Sequence, residues 1–414
     1  MSASGTPTDP YAPDGTYAWF RLAICIILST VGGAGMWAIV IILPSVQADF
    51  GVDRADASLP YTMTMLGFAA GNYLIGRLVD RFGIVLPVLL SAFFLGAGFV
   101  LAALSPNILL FTLAQGLLVG LGTGATFGPL LADLSHWFQR HRGIAVASAA
   151  CGNYLAGVLW PSFIQWGFTF TDWRTTYMMI GGLCVAIMVP LTFFLLRKPD
   201  HDLSGGHASV LGRFGQLSPQ LSPAKLQMLL VLAGLGCCVA MSMPQVHIVA
   251  YCVDLGFNVA QGADMIALMT GFGVISRLAS GYLADRIGGI RTLLLGTFLQ
   301  CAALLLFIPF DSLGSLYVIS MIFGLSQGGI VPSYAVIVRE YLPAREAGQR
   351  IGLVMMSTIL GMALGGWLSG WIYDLTGSYD AAFINGIAWN LMNMAILVFI
   401  LRNARGRGGE PVPA

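Results

Sequence analysis

The sequence predicts an all-α membrane protein: twelve transmembrane helices in two pseudo-symmetric six-helix halves. Three observations predict it: an apolar composition, the spacing of the apolar stretches, and a motif that recurs at the same place in each half. Of 414 residues, 57% are hydrophobic and 9% are charged, against about 25% charged in ordinary soluble domains. Mean hydropathy is +0.80. A soluble chain of this length needs far more charge to cover its surface. That excludes a cytosolic enzyme, a nucleic-acid binder and a disordered chain. The net charge of +1 generates no field to recruit polyanions. The 52 glycines suit membrane helices, which place small residues where backbones approach closely.

A spanning helix needs roughly 20 mostly apolar residues. Twelve stretches qualify, with cores at 20–45, 57–76, 84–104, 108–134, 143–168, 177–196, 226–252, 263–283, 290–310, 315–338, 350–373 and 382–401. The first is too long for a signal-peptide core and is read as a helix that stays. The polar stretch 197–225 contains Gly205-Gly206, Pro219 and Pro223 and divides the spans six and six. The expected units are a tail over 1–17, a six-helix bundle over 18–196, a linker over 197–225, a second bundle over 226–402 and a tail over 403–414. The seven cysteines all lie in apolar stretches and form no Cys-x-x-Cys pair or His cluster. They read as buried small hydrophobes, with no metal site and no cofactor expected.

Basic residues set the orientation. With the N-terminus inside, 17 of the 20 Lys and Arg fall on inner segments, and only Arg54 and Arg174 fall on outer loops. Both termini are therefore expected in the cytoplasm. The remaining arginine, Arg277, lies within a span.

The halves echo each other at a spacing of about 205 residues. Gly76-Arg77-Leu78-Val79-Asp80-Arg81-Phe82-Gly83 follows span 2, and Gly281-Tyr282-Leu283-Ala284-Asp285-Arg286-Ile287-Gly288 follows span 8. An Asp caps a helix start or pairs with Arg across an interface, and Gly permits the tight turn. A fainter echo links His136 to Gly143 with the segment beginning at Glu340. Two six-helix repeats are the plan of a secondary transporter with its substrate at the midplane. The paired Asp-Arg loops look like the signature of the major facilitator superfamily, over the whole chain. By that resemblance Asp80, Arg81, Asp285 and Arg286 are gate latches.

Two further stretches point to a branch. Asp14-Gly15-Thr16-Tyr17-Ala18-Trp19 resembles the signature that opens the first helix of monocarboxylate transporters. Trp137-Phe138-Gln139-Arg140-His141-Arg142-Gly143-Ile144-Ala145 is similar to that family's second signature. Span 11, with Ile351-Gly352-Leu353-Val354 leading to Gly370-Trp371-Ile372-Tyr373-Asp374, fits as well. Together they suggest a bacterial monocarboxylate-transporter-like protein. A facilitator of another branch is the alternative, with Trp19 then only an interfacial anchor.

Arg277 carries the chemistry. An arginine near a helix centre costs about 2.5–3.5 kcal/mol on insertion scales. No certain acidic partner lies at its depth, Asp133 being near the inner boundary. An incoming carboxylate, held by a bidentate fork, is a natural partner. The alternative has Arg277 snorkelling inward or bonding to helix carbonyls and Asp133. The resemblance agrees, since monocarboxylate transporters bind the substrate carboxylate on a span-8 arginine. Two departures weaken the carry-over of their proton relay. Their better-known animal members place an Asp four residues before that arginine, where this chain has Gly273. They place a Lys after a Pro near the end of span 1, where this chain has Pro44-Ser45. Asp133 and His247 remain as proton-coupling candidates, His247 reading first as an interfacial hydrogen-bonding residue.

Asn153 and Tyr154 in span 5, Ser333 and Tyr334 in span 10, Tyr61 in span 2 and Trp37 in span 1 complete the expected pocket. An aromatic wall with a few donors around a cation suits a small organic acid; each residue alone also reads as helix packing. Tyr334 is favoured because the family pocket has an aromatic in that part of span 10. Pro129 and Pro332, at matching places in spans 4 and 10, are expected to bend helices.

The expectation is a multi-pass carrier in the cytoplasmic (inner) membrane, monomeric, with the bilayer, a small monocarboxylate such as lactate or pyruvate, and a proton as its partners. No nucleic-acid partner and no catalysis are expected. The alternative is an organic-anion or dicarboxylate exchanger of the oxalate/formate type. Those exchangers carry a second buried base in span 11, which has none here past Arg350. Drug exporters usually have an Arg early in span 4, where this chain reads Gln115-Gly116-Leu117.

Overall fold

A computed structural model of the chain describes residues 13–134, 136–138, 140–197, 216–217, 221–342 and 346–405. Most of the expected linker and both tails lie outside the described residues. So do the side chains of Asp80 and Arg142.

The twelve predicted spans become α1 (Thr16–Phe50), α2 (Arg54–Phe82), α3 (Val85–Ala103), α4 (Ile108–Leu134), α5 (Ile144–Phe168), α6 (Trp173–Phe193), α7 (Pro223–Asp254), α8 (Val259–Ile287), α9 (Gly289–Leu306), α10 (Leu313–Tyr341), α11 (Ala347–Thr376) and α12 (Asp380–Asn403). Eleven are long and apolar enough to cross a membrane, α2 being the exception. That helix runs for 29 residues but is diluted by Thr, Gly and Asn and by the charges at its ends. Among the described residues the one strand pairing is a two-residue antiparallel ladder, Gln216 opposite Arg405 and Leu217 opposite Ala404.

Outward side chains are apolar: Phe93, Leu101, Leu109, Leu159, Phe298 and Leu375 are all exposed. A contiguous apolar exterior of this kind needs lipid around it. In the most apolar stretches of α1 and α7, 83% and 72% of residues are buried, against 28% in α8 and α12. The first helix of each six therefore occupies the centre. The two sets of six meet along α2–α11, α5–α8 and α1–α7.

Small residues set these distances. Within the first six, a Cβ at Gly67 in α2 would lie only 2.0 Å from the Gly116 carbonyl of α4. No side chain fits there, which is how α2 reaches α4 backbone to backbone.

Several spans are broken at the places that matter. α1 is interrupted at Gly33, α5 at Cys151, and α10 at Gly328-Gly329. α4 carries a π-helical turn over Gln115–Gly120 and a second break at Thr126-Phe127. The breaks in α4 and α10 precede Pro129 and Pro332, as expected for a residue that removes an N–H from the helix ladder. Pro332 leaves the carbonyl of Gly328 without its usual intrahelical donor, and that carbonyl is used below.

With twelve crossings, both termini lie on one side, here the terminal face; the loops α1–α2, α7–α8 and α11–α12 lie on the distal face.

Candidate functional site

Arg277 sits in the second half of α8, about 15 Å of helix from the terminal-face end. It is half-buried and reaches across both sets of helices. Nη1 donates to the carbonyl of Ala150 in α5 at 2.8 Å, beside the break at Cys151. Nε donates to the freed carbonyl of Gly328 in α10 at 3.3 Å. Its guanidinium lies 4.5 Å from the Tyr154 ring centroid, a cation–π arrangement. Both hydrogen-bond acceptors are neutral. Among the described residues no carboxylate pairs with Arg277, so its charge is solvated but not cancelled.

One turn toward the distal face, Gly273 brings α8 against Tyr154. A Cβ there would lie 3.2 Å from the Tyr154 ring and 3.4 Å from the Gln327 amide nitrogen. Further along the same seam, Gly157 packs on Thr270. Asn153 and Trp37 stand nearby on the other side of α5: Trp37 Nε1 donates to the Asn153 carbonyl at 2.9 Å, and Asn153 Nδ2 approaches Met36 Sδ at 3.7 Å. These bonds hold α1 to α5 next to the Tyr154 ring.

The structure does not bring every expected residue to Arg277. Tyr334 is fully buried and its hydroxyl donates to Asn393 of α12 at 3.2 Å. Ser333 bonds back to the Gly329 carbonyl of its own helix. Depth along α10 matches Arg277, but these two side chains point elsewhere around the helix. Tyr61 packs against Gly366 on the α2–α11 seam.

The two proton-coupling candidates are engaged elsewhere. Asp133 holds Arg21 by two bonds of 2.9 Å. Arg21, in α1, is 1% exposed; its guanidinium also lies 4.9 Å from the Trp137 ring and donates to the carbonyls of Leu195 and Arg197. Arg277 is therefore not the one buried arginine, and Asp133 is not its partner. His247 bonds the Tyr379 hydroxyl at 3.0 Å and the Gly366 carbonyl at 2.7 Å, inside a cluster at the distal face.

That cluster corrects the reading of Arg54 as an outer-loop charge. Arg54 opens α2 and is 7% exposed. It donates to the Tyr379 hydroxyl at 2.9 Å and to Asp254 at 3.1 Å, and lies 4.6 Å from the Tyr373 ring. The backbone N–H groups of Arg54 and Ala55 donate to Asp374 at 2.9 and 2.7 Å. Asp374 thus binds the N-terminus of α2, where two free N–H groups and the helix dipole favour an anion. Bonds between the two sets of six helices close the distal end. At the terminal face, Arg81 lies over Phe82 and Arg286 over Tyr282, each on its own helix, and Asp285 is exposed. Among the described residues none of these three bridges the two sets.

The two signature stretches meet. Asp14 accepts from the backbone N–H of Arg140 at 2.9 Å and of His141 at 3.1 Å, and its own N–H donates to the Trp137 carbonyl at 3.0 Å. Trp19 stands edge-on to Phe138 at 5.1 Å. Residues far apart in sequence thus form one terminal-face cluster above the Arg21–Asp133 pair. No group of His, Cys, Asp or Glu that suits a metal ion occurs among the described residues, and all seven cysteines are free and buried.

The chain is 27% identical over 404 residues to monocarboxylate transporter 13 of Rattus norvegicus, covering 94% of this chain and 90% of that protein. It is 28% identical over 350 residues to monocarboxylate transporter 13 of Bos taurus, covering 83% and 78%. The fold superposes on a bacterial homologue of the human lysosomal transporter Spinster, solved inward-facing and occupied, with TM-score 0.71, 13% identity and 96% and 98% coverage. At that identity the likeness speaks for the fold alone. A model of the Major Facilitator Superfamily matches residues 25–314 and 254–414. With the doubled six-helix plan and the paired loops at Asp80 and Asp285, that match makes the chain a member of the Major Facilitator Superfamily of transporters.

Proposed function

We propose that this chain is a secondary carrier of small monocarboxylates, lactate and pyruvate among them, working by alternating access in the cytoplasmic membrane. What carries the reading is Arg277: a membrane-embedded guanidinium at the seam between the two sets of helices, held by the neutral carbonyls of Ala150 and Gly328 and by Tyr154, with no carboxylate on it among the described residues. A charge held this way is costly unless an anion joins it, and a carboxylate accepts from two of its remaining N–H groups at once. The monocarboxylate transporters of rat and cattle among the relatives support the same class. The closed distal cluster around Arg54 and the unbridged terminal loops suit a state open to the terminal face.

Proton symport is the proposed coupling. A specific observation favours the second reading, anion exchange: Asp133 and His247 are each tied to other partners, and Gly273 stands where an acid would serve Arg277. Reconstitution in proteoliposomes separates the two. Symport predicts that labelled lactate enters faster when the opposite compartment is made alkaline, with no internal anion needed. Exchange predicts uptake only into vesicles preloaded with an organic anion, indifferent to the pH gradient. Absence of saturable uptake of any monocarboxylate under both conditions contradicts the proposal.

A further inference from the structure

Beside Arg277 lies a buried amide pair that the transport reading above does not use. Gln245 of α7 and Gln327 of α10 are 4% and 0% exposed. Gln245 Nε2 donates to Gln327 Oε1. Gln327 Nε2 donates in turn to the Met269 carbonyl of α8 at 2.9 Å. The same Gln327 nitrogen faces the Cβ position of Gly273, opposite the Tyr154 ring. Residue 328, whose carbonyl takes Arg277 Nε, is the next in the chain. Gln327 and the guanidinium thus lie along one face of α8, with Gly273 about 6 Å, one turn, from Arg277.

Two glutamine side chains in the middle of an apolar bundle are expensive unless their groups are paired. A primary amide offers two N–H donors and an oxygen with two acceptor sites. The bonds above use one N–H of each glutamine and one acceptor site of Gln327. Among the described residues no donor reaches Gln245 Oε1, and its second N–H is unused. An acceptor and a donor side by side match a hydroxyl, which gives one hydrogen bond and takes another. A ketone only accepts, and an unsubstituted carbon does neither.

We propose that Gln245 and Gln327 form the specificity end of this site, recognising the 2-hydroxyl of a short 2-hydroxy monocarboxylate whose carboxylate lies on Arg277. Gln245 supplies the hydroxyl contacts, and Gln327 positions it through the bond to Met269. Tyr154 walls the site on the α8 side, packed so closely on Gly273 that even a Cβ there would press on its ring. This inference rests on the proposal that Arg277 binds the carboxylate.

The test compares saturable uptake of lactate and propionate in proteoliposomes, for wild type and for Gln245→Leu. A site built to hydrogen-bond a substrate hydroxyl discriminates strongly against an analogue lacking it. Replacing Gln245 is expected to raise the ratio of the lactate KM to the propionate KM by about tenfold. An unchanged ratio overturns the proposal. Gln245→Met, unbranched like the native side chain, carries the same comparison if the leucine variant does not elute as folded protein. Arg277→Ala separates the two readings. If that variant loses both acids while the ratio in Gln245→Leu stays fixed, the hydroxyl assignment alone falls. If Arg277→Ala transports both acids normally, the carboxylate anchor falls as well.

Discussion

Replacing Arg277 by Ala is expected to abolish the proposed saturable monocarboxylate uptake in proteoliposomes while the protein still accumulates in the membrane. The expected loss follows from what the guanidinium does. It is a cation at the seam that the proposed carboxylate would pair, and truncating one partner of a buried hydrogen-bonded charge pair costs about 2–5 kcal/mol. At 1.4 kcal/mol per tenfold, that is roughly 30-fold to more than 1000-fold in affinity. Arg277→Lys keeps the charge but loses the planar fork. Lysine cannot hold Ala150, Gly328 and a carboxylate together in the same geometry, so partial uptake with a raised KM is expected. Because Arg277 also ties α5 to α8 and α10, elution by size exclusion must accompany the assay. Wild-type uptake by a folded Arg277→Ala protein removes the carboxylate reading.

The second large effect is on stability rather than transport. Asp133→Leu strands the Arg21 guanidinium inside the first six helices. Breaking a buried pair by removing one partner costs about 3–5 kcal/mol. The variant is expected to melt well below wild type in detergent and to give little folded protein. Removing both charges, Arg21→Met with Asp133→Leu, is expected to recover most of the loss, because a well-packed apolar pair often matches a buried ion pair. A proton-relay role gives the opposite pattern: Asp133→Leu would keep its melting temperature and lose only the response to a pH gradient. Thermal melting of the single and double variants, read beside pH-jump uptake, decides between them.

Hydropathy and the doubled Asp-Arg loop made the fold legible, because in lipid the backbone bonds of each span are satisfied internally and apolar length alone marks it. Arg277 was legible because it is a charge far from any helix end. Arg21 and Arg54 were not. They sit near helix ends, where basic residues are expected in loops, and nothing in the sequence distinguishes a loop arginine from one folded back into the bundle. Tyr334 and Ser333 illustrate a second limit. Counting residues along α10 places them at the depth of Arg277, but depth does not give direction around the helix, and Tyr334 turns toward Asn393 instead. Gln245 and Gln327 show a third limit: a neutral amide carries no charge to mark it, and the signal is only that two glutamines lie in apolar stretches, one beside Pro244. The helix breaks are intermediate. Pro332 announced a bend; that the bend would free the Gly328 carbonyl for Arg277 depended on which helix lay opposite.

On the proposed reading, the cation on α8 binds a carboxylate. The melting temperature of purified protein with propionate and with propionamide, the same shape without the charge, reports that binding. A ligand that binds only the native state raises stability by RT ln(1 + [L]/Kd). Propionate should raise the melting temperature of wild type in a dose-dependent way, propionamide should leave it where it is, and Arg277→Ala should respond to neither. An equal response of wild type and Arg277→Ala to propionate, or an equal response of wild type to the acid and the amide, would contradict the account.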